Sequence, residues 1–309
     1  MATLVADIGG TNARFALTGP GGAIEHQRIL HGHDFPAFED ALAAYLEAEE
    51  VKPDRAAVAV ASPVLGDRVT FTNSPWSFSI DALRKRFGFE PLLVLNDFEA
   101  NALAVPYLRP ADLVKVGGGA AVPGAPVAIL GPGSGLGVAG LVHAPTGWMA
   151  LPGEGGHATM PGVDEREAAV IAKLRVRFGH VSAERVLSGP GLVNLYAAIA
   201  ELEHVTPRSP TPAEVVQGRD TISRDAVDMF CAMLGTLAGD VALTLGARGG
   251  VYIAGGIVPK LGVRFVNSGF RERFVAKGRF RDYLAAIPTF VVTHPVPAFV
   301  GLAALVGDH

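Results

Sequence analysis

The chain has 309 residues, of which 49% are apolar and 18% are charged, and its formal net charge is −4. This length allows two domains of ordinary size, and the composition is that of a globular protein that can bury a large core. The slightly acidic balance offers no basic surface to nucleic acid. The single cysteine, Cys231, excludes an internal disulfide framework and a cysteine-rich zinc site, and its apolar surroundings predict a buried, inert thiol.

The first residues lack the basic region and the cleavage signal of an exported protein, so we expect a cytoplasmic location. Residues 116–153 contain no Asp, Glu, Lys or Arg, yet Gly or Pro interrupts them every few residues, which excludes a membrane-spanning helix. We therefore expect neither a membrane nor a nucleic acid among the partners of this protein.

Strands and two helices are predicted in the first third of the chain. Apolar side chains at helical spacing predict a helix over 34–49, with Asp34 as its start signal, and a shorter helix over 80–87. Short apolar runs bounded by turn residues predict strands at 3–8, 12–17, 23–30, 56–61, 69–72 and 92–95. This alternation is typical of an α/β protein with a mixed sheet.

The rest of the chain begins with strands and continues mostly as helices. Apolar runs predict strands at 127–130, 137–142, 148–151, 251–254 and 290–293. Helical periodicity predicts helices at 165–178, 189–202, 212–217, 221–246 and 297–307. The order of apolar strand, glycine turn and apolar strand at 127–142 repeats the order at the N-terminus, which indicates a duplicated architecture.

The first glycine turn, Gly9-Gly10-Thr11, lies between two predicted strands and is typical of a tight hairpin. Glycine has no Cβ to hold an anion away, so several backbone N–H groups of such a turn can approach a phosphate. Asp7 beside a phosphate requires a cation between them, and Mg²⁺ bound to a nucleotide supplies one. An ordinary hairpin explains this stretch equally well by itself.

Three glycine turns follow predicted strands, near residues 9–11, 133–135 and 255–256. Their spacing excludes a Walker A loop, a dinucleotide-binding fingerprint and the nucleophile elbow of a hydrolase. The remaining interpretation is a pair of opposed hairpins that hold the phosphates of a nucleotide from both sides.

Other candidate site residues carry carboxylate or imidazole groups. Asp97 follows a predicted strand, where its carboxylate could take a proton from a hydroxyl during phosphoryl transfer; the alternative is the N-cap of a helix that starts near Phe98. Glu154 and His157 lie among glycines that exclude a regular helix, and together they could bind neighbouring hydroxyls of a polyol.

Six segments share their residues and their order with a known family: DIGGTNAR at 7–14, LNDF at 95–98, GSGLG at 133–137, PGEGGH at 152–157, SGPGLVNLY at 188–196 and AGG at 254–256. They resemble bacterial glucokinases of the hexokinase/actin/Hsp70 superfamily, and the match runs from residue 4 to about residue 305. The chain lacks the cysteine-rich zinc motif of the ROK sugar kinases, so the resemblance is to the non-ROK glucokinases. Ser134 stands where many relatives have Thr, which preserves the hydroxyl.

The resemblance implies an α/β, two-domain actin-like ATPase (ribonuclease H-like) fold with an interdomain cleft. A small α/β domain would take residues 1–107 and 294–309, and a large α+β domain would take residues 108–293. The implied activity is ATP-dependent phosphorylation of D-glucose at its 6-hydroxyl, giving glucose 6-phosphate, by a homodimer.

The resemblance also assigns site residues. ATP would contact Asp7, Gly9, Gly10, Thr11, Asn12, Gly133, Ser134, Gly135, Gly255 and Gly256. Asp7 would reach Mg²⁺ through water, and Asp97 would be the catalytic base. Glucose would be bound by Asn73, Asn96, Asp97, Glu154, His157 and Glu184. Taken alone, Glu184 is typical of an acid at a helix start, and Asn73 is typical of a turn.

Three alternatives remain open. The first is a non-enzymatic, ATP-switched binding protein of the same fold, which would not need Asp97, Glu154 or His157. The second is a sugar-responsive repressor, for which we expect no room because the chain starts at its first predicted strand. The third is a kinase with another hexose or another phosphoryl donor.

Overall fold

The computed structural model describes residues 2–71 and 74–307, which form two compact units. Unit 1 comprises the described residues within 1–109 and 294–309, together with Trp148–Pro152. Unit 2 comprises Pro110–Gly147 and Gly153–Thr293. The fold is α/β with mixed sheets.

Over the described residues the strands are β1 (Thr3–Ile8), β2 (Asn12–Thr18), β3 (Ile24–His31), β4 (Arg55–Val60), β5 (Arg68–Thr70), β6 (Ser77–Ser79), β7 (Leu92–Asn96), β8 (Leu113–Gly117), β9 (Val127–Pro132), β10 (Leu136–Ala144), β11 (Gly147–Leu151), β12 (Val251–Ile253) and β13 (Thr289–Val292). The α-helices are α1 (Phe38–Ala48), α2 (Ile80–Phe87), α3 (Asp97–Ala104), α4 (Glu165–Phe178), α5 (Gly189–Leu202), α6 (Pro212–Gln217), α7 (Thr221–Leu245), α8 (Val258–Leu261), α9 (Val263–Val266), α10 (Phe270–Val275), α11 (Arg281–Ala286) and α12 (Pro297–Val306).

Unit 1 is built on a five-stranded sheet in the order β3-β2-β1-β4-β7. β1 pairs antiparallel with β2 and parallel with β4, and β4 pairs parallel with β7. The inner strands are almost entirely apolar because both faces of the sheet are covered. Leu4 on one face of β1 belongs to a core of aromatic side chains, whereas the next residue, Val5, packs with α3 and α12 on the other face.

Unit 2 contains the sheet order β10-β9-β12-β13-β8. β9, β12 and β13 are parallel, while β10 and β8 run antiparallel to their neighbours. By length and composition α7 could cross a membrane, but 72% of its most apolar 18-residue stretch is buried inside the protein. This is the position of a core helix. Cys231 on α7 is buried, and burial raises the pKa of its thiol to about 12.

Most predicted elements are confirmed, and α2, α4, α5 and α6 have the predicted bounds. The predicted helix start at Asp34 is wrong, since Asp34 ends the short 3₁₀ turn Gly32–Asp34 and α1 begins at Phe38. The sequence did not predict β6, β8 or the helices α8 to α11, which are short; β8 is also largely exposed at a sheet edge. An element of three to six residues contains too few positions for a periodic pattern to be recognised, even where some of its side chains are buried. The predicted strand 69–72 is observed as β5, and Thr72 lies outside the described residues.

Candidate active site

The first glycine hairpin (residues 9–12) connects β1 to β2 at the edge of the unit 1 sheet. The N–H of Gly9 donates to the carbonyl of Asn12 at 2.9 Å, and the carbonyl of Thr11 accepts from the N–H of Gly32 at 2.8 Å. Neither Gly9 nor Gly10 has a positive φ. The property of glycine that matters in this turn is therefore its missing Cβ, which lets an anion approach the backbone. A left-handed conformation is not required here.

Asp7 lies just before this hairpin and forms an ion pair that the sequence analysis missed. Its Oδ2 accepts from Nη1 of Arg14 at 2.9 Å, and Arg14 is directly opposite Asp7 on β2. Burial raises the pKa of Asp7 and outweighs the opposing effect of the Arg14 guanidinium. Counting residues outward from the Gly10-Thr11 turn would have identified this cross-strand pair.

The carboxylate of Asp7 fits a magnesium ion that is carried by a nucleotide. Mg²⁺ keeps several waters and takes only one or two protein carboxylates when substrate phosphates supply other oxygens. Oδ1 of Asp7 has no hydrogen-bond partner among the described residues, since only Oδ2 is bound by Arg14. In residues 2–71 and 74–307, no group of three or more His, Cys, Asp or Glu side chains could hold a metal ion.

Asn96 and Asp97 lie at the junction of β7 and α3. Asn96 is the N-cap: its Oδ1 accepts from the N–H of Phe98 at 2.8 Å, and its own N–H donates to Oε2 of Glu99 at 2.8 Å. Asp97 is the first helical residue, so its alternative role as the N-cap is wrong. Oδ1 of Asp97 also accepts from the N–H of Phe98, at 2.9 Å.

The sheet register brings the first hairpin and Asp97 to the same edge. Ile8 is opposite Val60, and Val60 is opposite Asn96 on the far side of β4. Since neighbouring strands are about 4.8 Å apart, the ends of β1 and β7 are separated by about 10 Å. Within unit 1, Asp7, residues 9–12 and Asn96-Asp97 therefore lie at the carboxyl ends of parallel strands or just beyond them. Asn73 lies outside the described residues.

The second glycine hairpin (residues 133–135) connects β9 to β10 in unit 2. The N–H of Gly133 donates to the carbonyl of Gly135 at 2.8 Å, and Ser134 at the tip is exposed. The carbonyl of Gly133 accepts from the N–H of Gly189, the first residue of α5, at 2.8 Å. Oε2 of Glu184 accepts from the N–H of Leu136 at 2.9 Å. Groups on both sides of the turn thus hold this hairpin.

Glu154 and His157 lie beside the start of β10. A single 3₁₀ turn, Gly155–His157, follows Glu154, and His157 Nε2 is 3.9 Å from Glu154 Oε2. Both side chains are more than half exposed. A Cβ on Gly156 would lie 2.0 Å from the carbonyl oxygen of Leu136, so only glycine allows this segment to lie against the strand.

The third glycine turn follows β12 and lies against the end of β9. Gly255 has a φ of +80°, and a Cβ there would be 2.4 Å from the carbonyl oxygen of Pro132. Both the conformation and the space therefore require glycine at this position. Unit 2 thus brings Glu154, Glu184 and Gly255 to the two strands that the second hairpin joins.

Unit 2 also has an open cavity of about 490 Å³ whose lining includes none of the predicted site residues. It is lined by Val216, Gln217, Gly218, Arg219, Arg224, Asp228 and Arg264.

Comparisons with known proteins show which family this chain resembles. The family model described as Glucokinase matches residues 4–309. The chain is 53% identical to a glucokinase of Paramagnetospirillum magneticum over 312 residues, covering 99% of this chain and 97% of the relative. The crystal structure of a glucokinase from an Antarctic psychrotroph is similar, with a TM-score of 0.89 and 37% identity, covering 98% of each chain.

A ROK family glucokinase from Streptomyces griseus, solved in complex with glucose and AMPPNP, is similar in fold, with a TM-score of 0.66 and 17% identity over 99% of each chain. The full-length family match and the 53% identity of a relative that the chain covers almost completely decide the classification. This chain belongs to the glucokinase family.

Proposed function

We infer that this protein is a glucokinase, which transfers the γ-phosphoryl group of ATP to the 6-hydroxyl of D-glucose and yields glucose 6-phosphate. Membership of the glucokinase family supports this activity. The observation that carries the mechanism is the register of the unit 1 sheet, which brings the first glycine hairpin and Asp97 to one edge. A phosphate-binding turn and a candidate base at that edge are what a phosphoryl transfer to an alcohol requires.

Asp97 acts as the general base in this proposal. A sugar alcohol is a poor nucleophile until it loses its proton, so Asp97 takes the proton of the 6-hydroxyl as that oxygen attacks the γ-phosphorus. Asn96 supplies the helix cap, and Asp97 is therefore not needed for that task. Its first-turn position stabilises the negative charge of the carboxylate through the N–H groups at the start of α3.

The glycine turns hold the nucleotide. Its phosphates contact residues 9–12 and 133–135, and its adenosine lies near Gly255 and Gly256. Mg²⁺ carried by ATP would neutralise phosphate charge, and Asp7 would hold it through water. Excluding water from the site prevents hydrolysis of ATP from competing with transfer to the sugar.

Polar side chains bind the sugar. Each hydroxyl that leaves water without a partner costs roughly 1–3 kcal/mol, so a hexose needs several donors and acceptors. We propose Asn96, Asp97, Glu154, His157 and Glu184 for this role, and Asn73 remains a prediction. A cytoplasmic homodimer also remains a prediction.

A coupled assay of sugar-phosphate formation tests the function, because the sugar phosphate is the product with every donor. Glucose, other hexoses and 6-deoxyglucose would each be supplied with ATP, ADP or polyphosphate as the donor. We expect turnover with glucose and ATP, and none with 6-deoxyglucose, which lacks the accepting hydroxyl but keeps the rest of the ring. Faster turnover with another hexose or donor would reassign the substrate. An absence of sugar-dependent transfer would support a binding protein instead.

A further inference from the structure

The carboxylate of Glu184 lies directly over the second glycine hairpin. Its Oε2 accepts from the N–H of Leu136 at 2.9 Å. A Cβ placed on Gly135 would be only 2.6 Å from the same oxygen, so the glycine makes room for this contact. The other oxygen, Oε1, has no hydrogen-bond partner among the described residues. A carboxylate with two oxygens accepts several hydrogen bonds, and this one retains most of its capacity.

The backbone around Glu184 is tied to the hairpin by a second route. Glu184 lies in the 3₁₀ turn Ala183–Arg185, and its carbonyl accepts from Oγ of Ser188 at 2.8 Å. Ser188 caps α5, whose first N–H, that of Gly189, donates to the carbonyl of Gly133 at 2.8 Å. The turn that carries Glu184 and the hairpin therefore form one hydrogen-bonded assembly.

The same turn is joined to the segment that carries Glu154 and His157. The N–H of Ala183 donates to the carbonyl of Ala158 at 2.8 Å, one residue after His157. Three predicted sugar-binding side chains and one predicted phosphate-binding turn thus belong to a continuous part of unit 2. The Leu136 contact of Glu184 ends on β10 directly beside the hairpin.

We propose that Glu184 is a positioning residue that couples the binding of the two substrates. Oε2 holds the second glycine hairpin while Oε1 accepts from a sugar hydroxyl. A bound sugar immobilises the carboxylate and with it the turn that contacts the nucleotide. The protein therefore loses less conformational entropy when the nucleotide binds. Coupling of this kind is reciprocal: each substrate raises the affinity for the other by the same factor. This inference rests on the proposed function, which supplies the two ligands.

Calorimetric titration with AMPPNP and Mg²⁺, with and without saturating D-glucose, tests the coupling. For the unmodified protein we expect glucose to lower the nucleotide Kd by about tenfold, within the usual range of coupling between sites. In Glu184→Ala we expect the nucleotide Kd without sugar to rise by about fivefold, because the hairpin loses its contact at Leu136. Because this variant should bind glucose more weakly, a higher glucose concentration is used to saturate it. Saturating glucose should then change the nucleotide Kd by less than about twofold.

Two further variants separate coupling from other roles. Glu184→Gln keeps an oxygen that can accept from Leu136, so its nucleotide Kd without sugar should stay within about twofold of the original. If Glu184→Ala does not fold, as judged by circular dichroism, Glu184→Gln remains the test, and a nucleotide Kd without sugar that rises by about fivefold despite the retained acceptor would contradict the role of the Leu136 contact. His157→Ala should weaken glucose binding and yet keep the roughly tenfold effect of saturating glucose, because among the described residues that side chain has no hydrogen bond or ion pair with the hairpin.

The outcomes distinguish the coupling from the function itself. If Glu184→Ala weakens glucose binding but leaves the nucleotide Kd and the effect of glucose unchanged, Glu184 contacts only the sugar and the coupling is wrong, while the function stands. A missing effect of glucose in the unmodified protein would also overturn the coupling. If neither Glu184→Ala nor His157→Ala changes glucose binding, the proposed sugar site is wrong and the coupling fails with it.

Discussion

Adjacent residues divide two tasks at the start of α3. Asn96 forms a capping box with Glu99, and Asp97 follows as the first residue of the helix. Asparagine is among the best N-caps because its short side chain reaches an unsatisfied N–H of the first turn. With the cap supplied by its neighbour, the carboxylate of Asp97 can serve chemistry at the end of β7.

Substitutions at Asp97 and Asn96 test whether Asp97 is the base and Asn96 is the helix cap. We expect Asp97→Ala to lower kcat by about 10²–10⁴-fold, because the transition state requires the proton acceptor, and to weaken glucose binding far less, by the one hydrogen bond that is lost. Asp97→Asn, which keeps the shape but cannot accept the proton as a carboxylate does, should show a similar loss. Asn96→Ala should instead lower the free energy of unfolding by about 1 kcal/mol through the lost cap. A near-normal kcat in a folded Asp97→Ala enzyme would contradict the assignment.

Close packing of two helices holds α3 in place within unit 1. α12 crosses α3 at Gly301, where a Cβ would lie 1.9 Å from the carbonyl oxygen of Ala100 and 2.9 Å from the N–H nitrogen of Ala104. Both atoms belong to the backbone, so a side chain at this position requires the helices to separate. The position of Asp97 at the start of α3 therefore depends on a glycine about 200 residues further along the chain.

A substitution at Gly301 tests whether the packing of α12 on α3 holds α3 in position. We expect Gly301→Ala to reduce the free energy of unfolding by about 1–3 kcal/mol, as overpacking does, and to lower kcat because α3 shifts. Differential scanning calorimetry and the coupled assay measure the two effects. Gly269→Ala is the matched control, since its Cβ would meet only the Cβ of Ala232 at 3.9 Å. Equal thermal stability of the two variants would show that the helices adjust without cost.

The two units share one arrangement of strands. In unit 1 the order β2-β1-β4-β7 has one antiparallel pair followed by two parallel pairs, and in unit 2 the order β10-β9-β12-β13 has the same directions. In both, a glycine hairpin joins the first antiparallel pair. This agrees with the duplicated architecture that the sequence predicts, although the residues of the two halves differ.

Binding of glucose should stabilise the whole protein. At a glucose concentration of 100 times the Kd, linkage adds about 2.7 kcal/mol to the free energy of unfolding, which raises the Tm by roughly 4 °C for a protein of this size. Differential scanning fluorimetry with D-glucose measures this shift, and L-glucose is the control. A Tm that D-glucose does not change would favour the ATP-switched binding protein.

Much of the candidate site could be proposed from the sequence because its signals are local. Glycines between apolar runs predict hairpins, and a polar pair after a buried strand predicts a side chain at the edge of a sheet. The ion pair of Asp7 with Arg14 could also have been predicted, since a two-residue turn determines the cross-strand partners. The start of α1 could not be predicted from the sequence. Asp34 is a good start signal, but burial of Phe38, Ala41 and Leu42 determines where this helix begins.

By itself the sequence determined the class of the fold, most of its elements and the residue types that the chemistry needs. These follow from backbone conformation and from side chains close in the chain, and both act over a few residues. Only the tertiary structure decided that β4 separates β1 from β7 and that Glu184 reaches Leu136, 48 residues away. Such contacts depend on which apolar faces pack together, and this is a property of the whole folded unit.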